Sequence, residues 1–171
     1  MSLYNRVIQK LKKRQQIVLN GGINCIPSPF TRYRNTFIGV EQGKYIAVTA
    51  ATKGYKSQFS SFLFIYNSIL YAYYNPGKII VNILYYPLEE TAETVIERFM
   101  CYLLYTLSNK AVRINPQDLR STNENNPLPE EVIVLLESDD YKKVLEYFLN
   151  CIHFQTDTNP TGIYNSCKGF I

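Results

Sequence analysis

The chain has 171 residues, 46% hydrophobic and 19% charged, with a net charge of +4, Tyr 15, Phe 9 and no Trp. That balance is ordinary for one globular domain with a sizeable, aromatic-rich core, and it excludes low-complexity and collagen-like chains. Four cysteines without C-x-x-C spacing (Cys25, Cys101, Cys151, Cys167) and a single histidine, His153, exclude a zinc site of recognisable rhythm, so reduced and mostly buried thiols are expected.

The charge is unevenly spread. Residues 1–60 hold ten Lys/Arg and one acid, Glu41, whereas the remainder holds eight Lys/Arg and thirteen acids. A basic half suits a phosphate-bearing partner, and a solvated basic face accounts for it equally well. The start Met-Ser-Leu-Tyr-Asn-Arg lacks the apolar stretch of a signal peptide. The run from Phe59 to Tyr74 is too short, and too interrupted by Ser60, Ser61, Asn67 and Ser68, to cross a bilayer. A cytoplasmic protein with no membrane partner is the expectation.

Leu3, Val7, Ile8, Leu11 and Val18, with Arg6, Lys10, Lys12, Lys13 and Arg14 between them, predict a basic amphipathic helix that ends at Asn20-Gly21-Gly22. Residues 1–22 are therefore expected to be a linker or docking helix, or a helix packed on its own domain, and 23–171 the main domain. Pro27 and Pro29 make residues 24–34 an irregular leading loop, followed by a turn at Glu41-Gln42-Gly43. Tyr45 to Thr49 reads as a strand, and its apolar character on both faces predicts a central parallel position.

Beyond Lys56-Ser57, apolar residues recur at Phe59, Phe62, Leu63, Tyr66, Ile69, Leu70 and Tyr73, the spacing of a helix laid on a sheet, which stops at Asn75-Pro76-Gly77. Ile79 to Tyr86 reads as a second strand, parallel to the first through a right-handed crossover. A helix is then predicted to about Ser108, with Val95, Ile96, Phe99, Leu103 and Leu107 on one face. Asn115-Pro116 and Asn126-Pro127-Leu128-Pro129 introduce short helices, the second holding Glu130 to Glu137. Asp139 or Asp140 begins another, Cys151 to Gln155 reads as a third strand, and Asn159-Pro160 opens a last helix. The whole is α/β, a mainly parallel sheet flanked by helices.

Chemistry concentrates between the first strand and its helix. Ala50-Ala51-Thr52-Lys53-Gly54-Tyr55-Lys56-Ser57 is laid out as a phosphate-binding loop, in which small residues bare the backbone amides, Lys56 bridges phosphates and the Ser57 hydroxyl holds magnesium. Ala50 and Tyr55 stand where the pattern has glycine, and a bulky residue held at positive φ at Tyr55 costs about 1–2 kcal/mol. Gly54 can take up part of the turn. ATP and Mg2+ are the expected ligands.

Glu89 lies at the end of the neighbouring predicted strand, the edge of an open α/β sheet where ligands bind, and is placed to orient the water that attacks the γ-phosphate. Glu90 competes for that role, and either acid also suits a helix start. Val132 to Glu137 mimics a magnesium-side strand ending in an acid, but Pro129 with Glu130 and Glu131 predicts a helix.

Gly43-Lys44-Tyr45-Ile46-Ala47-Val48-Thr49-Ala50 into Lys56-Ser57, with Ile83-Leu84-Tyr85-Tyr86-Pro87-Leu88-Glu89-Glu90-Thr91-Ala92-Glu93 and Arg98, resembles the RecA-like motor domain of DnaB-type replicative helicases over roughly residues 24–171. Asp118-Leu119-Arg120-Ser121 and Asn159-Pro160-Thr161-Gly162-Ile163 also look like segments of that family. The resemblance implies a RecA-like P-loop NTPase fold and an ATP-dependent DNA helicase, with Lys56 and Ser57 on the nucleotide and magnesium and Glu89 as catalytic base. It further implies single-stranded DNA as partner and a homo-oligomer, a hexamer, or a completing chain.

The departures are Tyr55 for the family's Gly and Pro87 for its Ser. No Walker B aspartate, DNA-binding loop or arginine finger is found, so the chain is expected to be the N-terminal portion of the motor and not a complete catalyst alone. Two other readings compete: a small stand-alone P-loop ATPase or nucleotide kinase with Glu137 or Asp139 on magnesium, and a degenerate, non-catalytic RecA-like interaction or DNA-binding module.

Overall fold

The computed structural model describes residues 1–33, 35–87, 89–122, 127–157 and 159–170. Arg34, at the end of the expected leading loop, Leu88 of the resemblance motif and Asn126 of the expected helix start lie outside the described residues. The chain divides into two compact units, Met1–Val81 and Asn82–Ile171. No described helix is long and apolar enough to cross a membrane.

Unit 1 opens with α1, Leu3–Leu19, at the predicted bounds. Ser2 caps it by accepting from the Asn5 amide at 3.3 Å, and Gly21 at φ +80° lets the chain leave it. None of its residues is buried. Its polar ties are the Arg14–Glu41 ion pair at 2.6 Å and the Asn24 side-chain amide donating to the Arg14 carbonyl at 2.8 Å.

The stretch expected to be an irregular loop forms a short antiparallel pair instead, β1 (Cys25–Pro27) with β2 (Gly39–Glu41). Glycine is required at position 39 because a Cβ there would lie 1.9 Å from the Ile26 carbonyl oxygen, inside the neighbouring strand. Between the strands, Phe30 stacks on Phe59 with centroids 5.0 Å apart and meets Phe62 edge-on at 5.5 Å. The Asn67 side chain donates to the Pro27 carbonyl at 3.1 Å. These contacts fasten the pair to the helical run that follows.

That run occupies residues 56–74 as α2 (Lys56–Ser60), a π-helical stretch (Ser61–Tyr66) and α3 (Asn67–Tyr74). It starts and stops where the sequence predicts. Leu63, Ile65, Tyr66, Ile69, Leu70 and Ala72 are buried.

The predicted strand over Tyr45 to Thr49 is not formed. Tyr45 is 95% exposed, Ala47 and Thr49 are exposed, and Ile46 and Val48 are half-buried. A strand buried on both faces needs ladder partners for its backbone groups. Among the described residues no strand pairs with this one, and the apolar run stays irregular.

Unit 2 holds the parallel pairing, between β3 (Ile83–Tyr85) and β4 (Ile152–Phe154), rather than between residues 45–49 and 79–86. The expected mainly parallel sheet is thus reduced to one three-residue pair. β4 is too short to pair with all of the second predicted strand, and Ile80 is 86% exposed. The helices fall where predicted: α4 (Ala92–Leu107), α5 (Pro116–Leu119), α6 (Glu130–Glu137), α7 (Asp139–Cys151) and α8 (Pro160–Phe170).

Side-chain caps explain the starts. Thr91 accepts from the Thr94 amide, Ser138 from the Tyr141 amide, and Asn115 with Asp118 forms a reciprocal capping box. The core of unit 2 is the contact of α4 with α7, where Phe99 and Phe148, both fully buried, stack 3.8 Å apart at 10°. Val95, Leu103, Leu104, Val132, Tyr141 and Val144 are buried as well, and the Tyr141 hydroxyl reaches the Met100 carbonyl at 3.4 Å. Cys101 and Cys151 are buried free thiols.

Phe148→Ala removes one ring of that stack and leaves a cavity between α4 and α7. Unit 2 should lose about 3–5 kcal/mol in urea unfolding, the range for truncating a buried aromatic.

Candidate active site

The expected site residues fall in both units, Ala50–Ser57 in unit 1 and Glu89 in unit 2. In unit 1, residues 50–57 are exposed throughout. The turn closes with the Gly54 amide donating to the Ala51 carbonyl at 2.9 Å. Gly54 does not supply the left-handed backbone; its flanking residues do, Lys53 at φ +64° and Tyr55 at φ +55°. Glycine at 54 is required for close approach, since a Cβ would lie 2.8 Å from the Ala51 oxygen and 2.9 Å from the Ala50 methyl.

Tyr55 is the N-cap of α2, with φ +55° and ψ +25°, and its carbonyl accepts from the Phe59 amide at 2.9 Å. Lys56 is therefore the first residue of the helical run, with Ser57 next. At a helix start the first amides have no intrahelical acceptor, and left-handed residues alternating with others turn successive N–H groups into one concavity, the geometry that cradles anions. Among the described residues neither Lys53 nor Lys56 forms an ion pair. Two non-glycine residues held left-handed within three positions store strain of the kind that concentrates at ligand sites.

In unit 2 the two adjacent acids behave differently. Glu89 is exposed and makes no hydrogen bond or ion pair among the described residues. The Glu90 side chain is 16% exposed: its Oε1 accepts from the Tyr85 hydroxyl at 3.0 Å and its Oε2 is paired with the Arg98 guanidinium. Tyr85 ends β3, and burial together with the Glu90 carboxylate pushes its phenol up to about 12. Next to it, the Tyr86 hydroxyl donates to the Ile163 carbonyl at 3.3 Å, tying the same connection to α8.

The helix at Glu130–Glu137, predicted against the strand alternative, leaves Glu137 at a helix end and Asp139 in the first turn of α7. A stand-alone P-loop enzyme using these acids from a magnesium-side strand has no such strand here. No group of three or more His, Cys, Asp or Glu able to hold a metal occurs among the described residues. An open cleft of about 390 Å³ in unit 2, lined by Cys101, Tyr102, Tyr105, Arg113, Ile114, Asn115 and Asp118, contains none of the expected site residues.

Sequence reasoning singled out the loop and the acidic pair but missed the ties of Tyr85 and Arg98 to Glu90. The available signal was an Arg two turns into a helix that begins just after an acid. No family model matches the chain, and comparison with curated proteins and with solved structures finds no match.

The raised phenol of Tyr85 makes a checkable prediction. Wild type minus Tyr85→Phe should show a tyrosinate ultraviolet band that titrates near 12, above the ordinary value of about 10. Because the folded state holds this proton more tightly, the contribution to stability is complete below about pH 10 and is lost as pH rises through the folded value.

Proposed function

We propose that the chain is the ATP-binding segment of a DnaB-like replicative DNA helicase with a RecA-like fold, which in the complete assembly couples ATP hydrolysis to translocation on single-stranded DNA. Residues 50–57 cradle the nucleotide phosphates, Lys56 neutralises their charge, Ser57 holds Mg2+, and Glu89 orients the attacking water. The motor works in the cytoplasm as a homo-oligomer.

The observation that carries this reading is the backbone at Lys53 and Tyr55, left-handed at two non-glycine positions directly before the lysine that opens the helix. Positive-φ residues also occur in the turn after α4, at Asn109 and Lys110, and Lys53 and Tyr55 differ from them in lying directly before a lysine at a helix start. A phosphate site uses that arrangement, because it aims consecutive amides at one point beside an unpaired ammonium. The split between the two acids adds support, since Glu89 is the carboxylate left open to solvent and Glu90 the one already engaged.

Titration of the chain with a fluorescent ATP analogue and Mg2+ tests the loop. Lys56→Ala should weaken binding by about tenfold or more, the effect of losing one charge-assisted contact to phosphate. Equal affinity in both proteins would refute the assignment. Tyr55→Gly, which relieves the left-handed strain without removing an amide, should bind the analogue at least as tightly as wild type.

A further inference from the structure

We propose that Glu90 is a positioning residue for Glu89, tied to β3 through Tyr85 and to α4 through Arg98 so that the adjacent carboxylate is presented to solvent in a fixed place. The inference rests on the hydrolytic reading of Glu89 given above. Its geometry comes from three side chains in unit 2. Tyr85 closes β3, Arg98 lies within α4, and Glu90 precedes the N-cap Thr91, so one carboxylate joins the strand end to the helix interior.

Both oxygens of Glu90 are taken, Oε1 by the Tyr85 hydroxyl and Oε2 by the Arg98 guanidinium. A carboxylate so engaged has both oxygens occupied and is not free to orient a water. Its value lies in direction. The side chain is largely buried, whereas the adjacent Glu89 is exposed with no partner of its own among the described residues. Glu89 therefore depends on the backbone for its placement, and the residue that follows it, Glu90, is tied to both β3 and α4.

Catalytic groups lose about a hundredfold in rate for a displacement of about 1 Å, so a base with no partners of its own needs a rigid neighbour. The Tyr85 phenol is suited to the task because burial raises its pKa and so keeps it protonated, and hence a donor. Arg98 offers a planar fork of donors matched to a carboxylate.

Backbone ¹⁵N relaxation on the full chain tests the clamp without requiring turnover. The Glu89 amide should show an order parameter near 0.85, falling toward about 0.6 in Glu90→Ala and in Tyr85→Phe, the second of which removes only a hydroxyl and spares the fold. An unchanged order parameter in Tyr85→Phe would overturn the proposal. In the turnover-competent assembly, Glu90→Gln should lower kcat about ten- to a hundredfold with KM unchanged and keep the acid limb of the pH–rate profile, which belongs to Glu89.

Loss of that limb in Glu90→Gln would make Glu90 the base and refute the positioning role. Arg98→Lys should recover part of the rate lost in Arg98→Ala, and failure to recover any would count against the clamp. Glu89→Gln separates the two levels. Full turnover in that variant would overturn the hydrolytic reading itself, whereas a rate collapse there with wild-type behaviour in Glu90→Gln would overturn only the clamp.

Discussion

Phe99 and Phe148 lie flat against each other in the interior of unit 2, and the placement of everything else in that unit follows from them. Two fully buried rings at 3.8 Å fix α4 on α7 in both depth and rotation, because sliding either helix by one residue would carry its ring out of the core. α7 runs directly into β4, and β4 pairs in register with β3, so the stack also sets the height at which β3 ends. The acid pair follows β3 immediately. A packing contact thus decides where the carboxylates emerge.

Unit 1 meets a comparable demand with less apolar material. Its helical run is fastened near its start by Phe30 and further along by the Asn67–Pro27 bond. The antiparallel pair β1–β2 is only three residues long and persists because it is closed by the Gly39 contact and held against the helix by aromatic rings. The strained turn over residues 53–55 sits directly ahead of that braced segment. Strain in a loop survives only where adjoining structure over-determines it, and the Phe30–Phe59 stack supplies that one turn into the helix.

The longer helices were legible in the sequence from their 3.6-residue apolar spacing, and the shorter ones from start signals such as Asn115-Pro116 and Pro129 with Glu130 and Glu131. The strands were not. A three-residue strand is shorter than two periods of alternation, so Cys25–Pro27 looked like a proline-broken loop, and the longer apolar run at Tyr45 to Thr49 looked like a strand although pairing partners decide that outcome. The turn over residues 50–57 was visible from its residue types, whereas which of Glu89 and Glu90 is held by partners was not. Two adjacent acids are equivalent until Tyr85 and Arg98 choose one of them, and that choice belongs to tertiary structure. Lys53 illustrates the same limit, since its side chain argues against left-handed backbone and the fold imposes it, whereas the loop pattern marked Tyr55 as a position of positive φ.

The π-helical stretch Ser61–Tyr66 separates two halves of one helix that face different tasks. A wider turn advances the chain by an extra residue and so rotates everything after it relative to everything before. The phase that aims Lys56 and seats Phe59 on Phe30 is thereby uncoupled from the phase that buries Ile69, Leu70 and Ala72. An uninterrupted α-helix would make each of these faces hostage to the other, so that a residue changed for packing would also swing the lysine. With the wide turn between them, the two ends of the helix can be altered separately, as a universal joint lets one shaft turn at an angle to the next.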